Sequence, residues 1–337
     1  MSSELLGSLK VSETPIEKLI LQPENIRFTH LKKIRSDADI QKQLWKESET
    51  RSLYQQILAA KGVYEELIID SDNVVLEGNR RLACLRVLRS EARLKKLPGI
   101  ETTHFDKILC KVIPKGTSKK QIDLFLATIH VKGKKKWNAF NKAQLLHDLK
   151  TKHLLTSDEI SKQLSVSIKT IDRSIDVYNQ TYEYGKKYPS DNGWYHKFTY
   201  FDELFKKRDL VEFRRDHKNI VKFGDWLRKN KFHDVREVRL LANVLQNKHA
   251  LQKLEEGTMA DARKYLEPRD PAMISKEFRN IQKTIELLKY FPRKELLKTI
   301  QDRPRMTILS NLQKELDSIM KEIKTLEKAL KAMPIGG

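Results

Sequence analysis

The sequence predicts an α+β fold, with a small mixed domain at the amino end followed by an all-helical remainder. Three observations predict it. Between Ile16 and Pro114, short β-type runs are interleaved with amphipathic helical stretches. After Pro114-Lys115-Gly116 the β signal stops, and from Lys119 onward apolar residues recur at helical spacing between short polar breaks. The 337 residues suffice for more than one core, and the expected divisions are 1–115, 116–182, 183–268 and 269–337.

In the mixed part, EKLILQ (17–22), EELIID (65–70), NVVLEG (73–78) and KILCKVIP (107–114) are the expected strands. Ser71-Asp72-Asn73 separates the second from the third, as a hairpin turn does. The third run leads into the corner VVLEGNRRLACLR at 74–86. There a strand delivers Glu77, Gly78 permits a tight turn, and Asn79, Arg80 and Arg81 open a helix. Free amide groups and the helix dipole already favour an anion at such an end, and guanidinium groups add forked, charge-assisted hydrogen bonds. Phosphate is the expected ligand; the bland alternative is a turn with solvated arginines.

The helical part contains TSDEISKQLSVSIKTIDRSIDVYNQ at 156–180. Thr156 and Glu159 have capping-box spacing, Ile160 and Leu164 form an apolar stripe, Ser165-Val166-Ser167 breaks the helix, and Ile168, Ile171 and Ile175 form a second stripe. That is a helix-turn-helix pattern whose second helix carries Ser167, Lys169, Thr170, Arg173 and Ser174 toward its polar side, residue types that reach phosphates and base edges. An ordinary helical hairpin is the alternative. The basic run KGKKKW (132–137) precedes it, with Lys134, Lys135 and Lys136 as phosphate-neutralising candidates and Trp137 expected in a core.

Two further basic stretches, FKKRDLVEFRR and WLRKNKFHDVREVR, are expected as amphipathic helices within a helical unit from about Phe201 to Glu256. Prolines in EPRDPAM (267–273) mark a break. From Leu309, apolar residues recur at alternating intervals of three and four through Leu312, Leu316, Ile319, Ile323, Leu326 and Leu330. Such a heptad helix wants a partner: the same helix of a second subunit, or the helix carrying Ile281, Ile285 and Leu288. Met320 beside the seam supplies no charge code.

Composition bounds the function class. Sixty-six Lys and Arg against 45 Asp and Glu leave a net charge of +21, which makes nucleic acid the leading partner class. No window approaches the roughly eighteen apolar residues a membrane span needs, so no membrane partner is expected. The two cysteines, Cys84 and Cys110, have no metal-ligand neighbours, which argues against a disulfide scaffold or zinc site.

Strand, Gly-x-Arg-Arg, then helix, with LILQPENIRF upstream and a helix-turn-helix downstream, resembles the amino-terminal domain of the ParB and sulfiredoxin superfamily over about residues 10–180. The resemblance implies that Pro23, Asn25 and Arg27 match a first box around a nucleoside triphosphate, and Gly78, Asn79, Arg80 and Arg81 a second. A third, acidic box is replaced by ATIHVKGKKKWNAF, where His130 and Lys132 stand near the polar and basic positions. The implied cofactor is CTP or ATP with magnesium. The glutamates of the second and third boxes are lost, which counts against hydrolysis more than against binding. Asn79 stands where sulfiredoxin has its cysteine nucleophile, which removes that reaction.

The expected function is therefore binding of double-stranded DNA by the helix-turn-helix, with an amino-terminal phosphate or nucleotide switch. The expected setting is cytoplasmic and nucleoid-associated, and the expected assembly is a homodimer through the heptad helix or the amino-terminal domain. The alternatives are a nucleotide hydrolase or nuclease, and an adaptor subunit of a DNA-processing or phage-defence complex with a protein partner.

Overall fold

The computed structural model describes residues 9–28, 36–63, 65–97, 99–132, 137–269, 275–300 and 302–332. Residues 1–260 and 261–337 form separate compact units.

The amino-terminal part is built on a five-stranded mixed sheet in the order β1-β5-β3-β4-β2. β1 (Lys10–Pro15) runs antiparallel to β5 (Lys107–Val112), from Lys10 opposite Val112 to Pro15 opposite Lys107. The sequence reading places no strand before Ile16. β1 escapes it because this edge strand is almost wholly exposed and shows no apolar alternation. EKLILQ, expected as a strand throughout, starts inside a tight turn at Ile16–Lys18, and only β2 (Ile20–Leu21) pairs, parallel to Val74 and Val75. β3 (Leu67–Ile69) and β4 (Val74–Glu77) form the expected hairpin. Asp70 Oδ1 accepts from Asp72 N at 2.9 Å and Val74 N at 2.8 Å, while Asn73 takes a left-handed φ of 62°, as asparagine tolerates.

One face of the sheet (Leu67, Ile69, Val75, Ile108, Cys110) packs under α1 (Asp37–Lys46), α2 (Ser48–Ala60) and α3 (Asn79–Arg93). Ser36 and Asp39 close a reciprocal cap on α1. The opposite face (Ile68, Leu76, Ile113) packs against α4 (Lys119–Ala127), α5 (Ala139–Thr151), α6 (Ser157–Leu164) and α7 (Ile168–Lys187) through Phe125, Leu145, Leu149, Ile160, Leu164 and Ile171. The hydrophobic core thus runs straight across residue 115, where the first division was expected, because alternate residues of β3 and β4 feed opposite layers.

α6 and α7 are joined by the three residues Ser165–Ser167, with Ser165 left-handed at φ 53°. Thr156 caps α6 reciprocally with Glu159, and Ser167 caps α7. Ile171 and Ile175 are buried as expected, but Ile168, assigned to the same stripe, is 43% exposed. It stands at the first helical position, ahead of the turn that faces the core. Downstream lie α8 (Phe198–Lys206), α9 (Val211–Arg215), α10 (His217–Arg228), α11 (Leu241–Leu245), α12 (Lys248–Glu256) and α13 (Met259–Leu266). Of the basic residues expected on an outer face, Arg214 is instead a half-buried brace that donates to Leu204 O at 2.5 Å and Lys207 O at 2.7 Å, while Arg239 stays exposed and pairs with Glu203 at 2.8 Å.

The carboxy-terminal segment contains α14 (Lys276–Lys289), α15 (Arg293–Ile300) and α16 (Arg303–Ala332), which carries the heptad. No helix among the described residues is long and apolar enough to cross a membrane.

Candidate functional site

The corner begins where β4 ends. Gly78 has φ +98°, and a Cβ there would meet the Leu67 side chain at 2.5 Å, so both backbone and space require glycine. Asn79 then acts as a buried brace: its Oδ1 accepts from Gln22 N at 2.9 Å and its Nδ2 donates to Val75 O at 2.8 Å. This ties the segment after β2 to β4. An amide suits the position because it satisfies a donor and an acceptor at once.

The two arginines divide their labour. Arg81 turns inward, donating to Glu65 O at 2.7 Å and Glu66 O at 3.0 Å, and pairs with Glu77 at 3.3 Å. It holds the corner to the loop before β3. Arg80 lines a cavity of about 430 Å³ and makes no hydrogen bond or ion pair among the described residues. Beside it is Arg27, paired with Glu47 at 3.4 Å. Burial first, then the neighbouring Arg80 charge, push the Arg27 pKa down, and burial pushes that of Glu47 up against the pull of Arg27 and Arg80. Asn25 is buried and accepts from Arg27 N at 3.0 Å, so it shapes the turn that presents Arg27.

On the opposite wall His130 Nε2 lies 3.0 Å from Glu77 Oε2. Burial works to raise the Glu77 pKa, but the hydrogen bond and charge of His130, with Arg81 and Arg27, hold it below the ordinary range. The Trp137 ring stacks on His130, 3.9 Å between centroids and 17° between planes. Trp137 is thus in the core, as expected, and also at the cavity. His130 sits in a π-helical turn, Thr128–Lys132, that leads from α4 toward α5, and Lys132 closes that turn. Lys134, Lys135 and Lys136 lie outside the described residues.

The structure therefore brings Asn25, Arg27, Glu77, Gly78, Asn79, Arg80, Arg81 and His130 around one cavity. The sequence reading missed its third wall, Glu49, Ser52, Leu53 and Gln56 of α2. Their spacing marks a single helix face, but polar residues on a helix face normally signal solvent. Among the described residues no group of three or more His, Cys, Asp and Glu is arranged to hold a metal ion.

At the α6–α7 unit, Ser167 and Lys169 are exposed, and Thr170, Arg173 and Ser174 are half-buried. The Ser167 and Thr170 hydroxyls share a hydrogen bond of 2.8 Å, and Ser174 Oγ donates to Thr170 O at 2.7 Å. Arg173 points to Asp202 of α8 at 3.4 Å. Asp172 on the same helix pairs with Lys150 at 3.3 Å and accepts from Ser157 Oγ at 2.5 Å.

Both cysteines are buried and free. Cys84 donates to Thr50 O at 3.3 Å, and burial pushes its thiol up to about 12, so it stays protonated and unreactive.

The class that fold and site define is an α+β domain with a basic, helix-capped cavity, continuous with a helical layer. Among solved structures, the chain is similar to the C-terminally truncated chromosome-partitioning protein ParB from Caulobacter crescentus complexed to the centromeric parS site. Identity is 14% and the TM-score 0.31, over 69% of this chain and 98% of that one. It is also similar to the C-terminally truncated Caulobacter ParB complexed with CTP-gamma-S, at 14% identity and TM-score 0.22, over 63% of this chain and 99% of that one. No family model matches the chain, and no curated protein does.

Proposed function

We propose that this protein binds duplex DNA through the α6–α7 unit and holds a phosphate-bearing ligand, a nucleoside triphosphate, in the cavity at the corner. The observation that carries the reading is Arg80: a guanidinium without a hydrogen-bond or ion-pair partner among the described residues, in the first turn of the fifteen-residue α3, beside Arg27. Two cations held together repel, and an anion between them removes that cost while accepting from the free amides of α3. Glu77 is already engaged by His130 and Arg81, so it shapes the wall and leaves Arg80 and Arg27 for the ligand.

For DNA, Ser167 and Lys169 stand exposed at the start of α7, the end that enters a groove in helix-turn-helix proteins. The Thr128–Lys132 turn carries His130 at the cavity and packs against α6, so one short segment touches both sites.

A thermal-shift screen with CTP, ATP, GTP, UTP and inorganic triphosphate, each with and without magnesium, tests the first half. At least one should raise the midpoint of the intact protein, and Arg80→Ala should remove the shift without lowering the ligand-free midpoint. No shift with any of them defeats the ligand reading. Titration of a duplex library at two salt concentrations tests the second half, and absence of binding at low salt defeats it.

A further inference from the structure

α16 carries its apolar residues as a continuous exposed stripe: Leu316, Ile319, Ile323 and Leu326 are each between 41% and 56% exposed. With Leu309 at the first seam position and Leu312 at the second, the residues bordering the seam include Glu315, Glu322 and Glu327, all exposed. The lysines Lys314, Lys321 and Lys328 all fall on the opposite side of the helix. The helix is therefore charge-segregated, acidic along the apolar seam and basic on its back. Gln313 and Met320 on the same border are neutral, so every charge that the border carries is acidic.

This border discriminates among occupants. In a parallel pair of α16 helices, Glu322 of one copy faces Glu327 of the other. In an antiparallel pair at full overlap, Glu315 faces Glu322, and an offset of one heptad sets Glu322 against itself. Like charges beside a seam destabilise the pair, and opposite charges select a partner. The self-pairing expected from the heptad alone is thus opposed by its flanks.

We infer that α16 docks an amphipathic helix of a different protein, one whose own apolar stripe is bordered by lysine or arginine. The net charge of +21 makes the inference specific, because an acidic-bordered seam on a basic chain attracts a partner that the rest of the surface repels.

The test uses the full-length protein and two labelled synthetic heptad peptides with the same leucine seam, one bordered by lysine and one by glutamate. The lysine peptide is expected to bind about tenfold more tightly, against the sign of the chain's overall charge. The triple variant Glu315→Lys, Glu322→Lys, Glu327→Lys should reverse that order, with helix content by circular dichroism unchanged. Equal binding of the two peptides, or a preference for the glutamate peptide, overturns the proposal. So does a sedimentation mass that halves on Ile323→Glu, because a second copy then occupies the seam.

Discussion

At the residue scale, two adjacent arginines that look alike in the sequence have different jobs. Arg80→Ala should weaken triphosphate binding by about tenfold or more, the loss of one charge-assisted bond, and leave the melting midpoint of the free protein unchanged. Arg81→Ala should instead lower the midpoint, since it strands the Glu65 and Glu66 carbonyls and removes a partner from buried Glu77. Glu47→Gln should raise ligand affinity by releasing Arg27 from its ion pair, measurable in the same titration. Glu77 also makes a pH prediction. Its folded pKa lies below the ordinary 4.5, so its ionised form contributes stability above that value, and the contribution is lost as pH falls through the lower folded value. Glu77→Gln should therefore flatten the acid limb of a midpoint-against-pH curve below pH 4.5. A limb as steep as that of the unaltered protein would show that other carboxylates carry it.

At the element scale, local rules were readable wherever they act within one helix. The Thr156–Glu159 box and the break at Ser165–Ser167 follow from side-chain capping and were legible, so Thr156→Ala should cost about 1 kcal/mol of stability. Which residues of α7 meet a partner was less legible. Arg173, a DNA candidate from residue type, is half-buried and paired with Asp202, so Arg173→Ala should lower the melting midpoint more than Lys169→Ala does. Lys169→Ala should weaken duplex binding and reduce the slope of log affinity against log salt by about 0.9, one phosphate contact. The α2 wall of the cavity was illegible for the same kind of reason. Glu49, Ser52 and Gln56 form an exposed helix face, and only the placement of the corner beside it makes that face a cavity wall.

At the scale of the whole molecule, the chain separates into units at residues 260 and 261, and the cavity and the α6–α7 unit both lie in the first. A fragment of residues 1–260 should therefore keep the ligand-dependent thermal shift and salt-sensitive duplex binding, while losing the lysine-bordered peptide. Loss of the shift in that fragment would place part of the ligand site beyond residue 260. The continuity of the core across residue 115 has a further consequence. Phe125, Leu145 and Leu149 pack on the sheet face carrying Ile68 and Leu76, so the helical layer and the corner share one packed interior.

The amino-acid sequence by itself determined the α+β class, the β3–β4 hairpin, the strand-glycine-helix corner and the capped α6–α7 pair. Each of these follows from periodicity, turn chemistry or capping over a few residues. Tertiary structure decided how the charges at the corner are spent. Adjacent helical residues point about 100° apart, and only the position of the loop before β3 turns Arg81 to the Glu65 and Glu66 carbonyls and leaves Arg80 facing the cavity with Arg27.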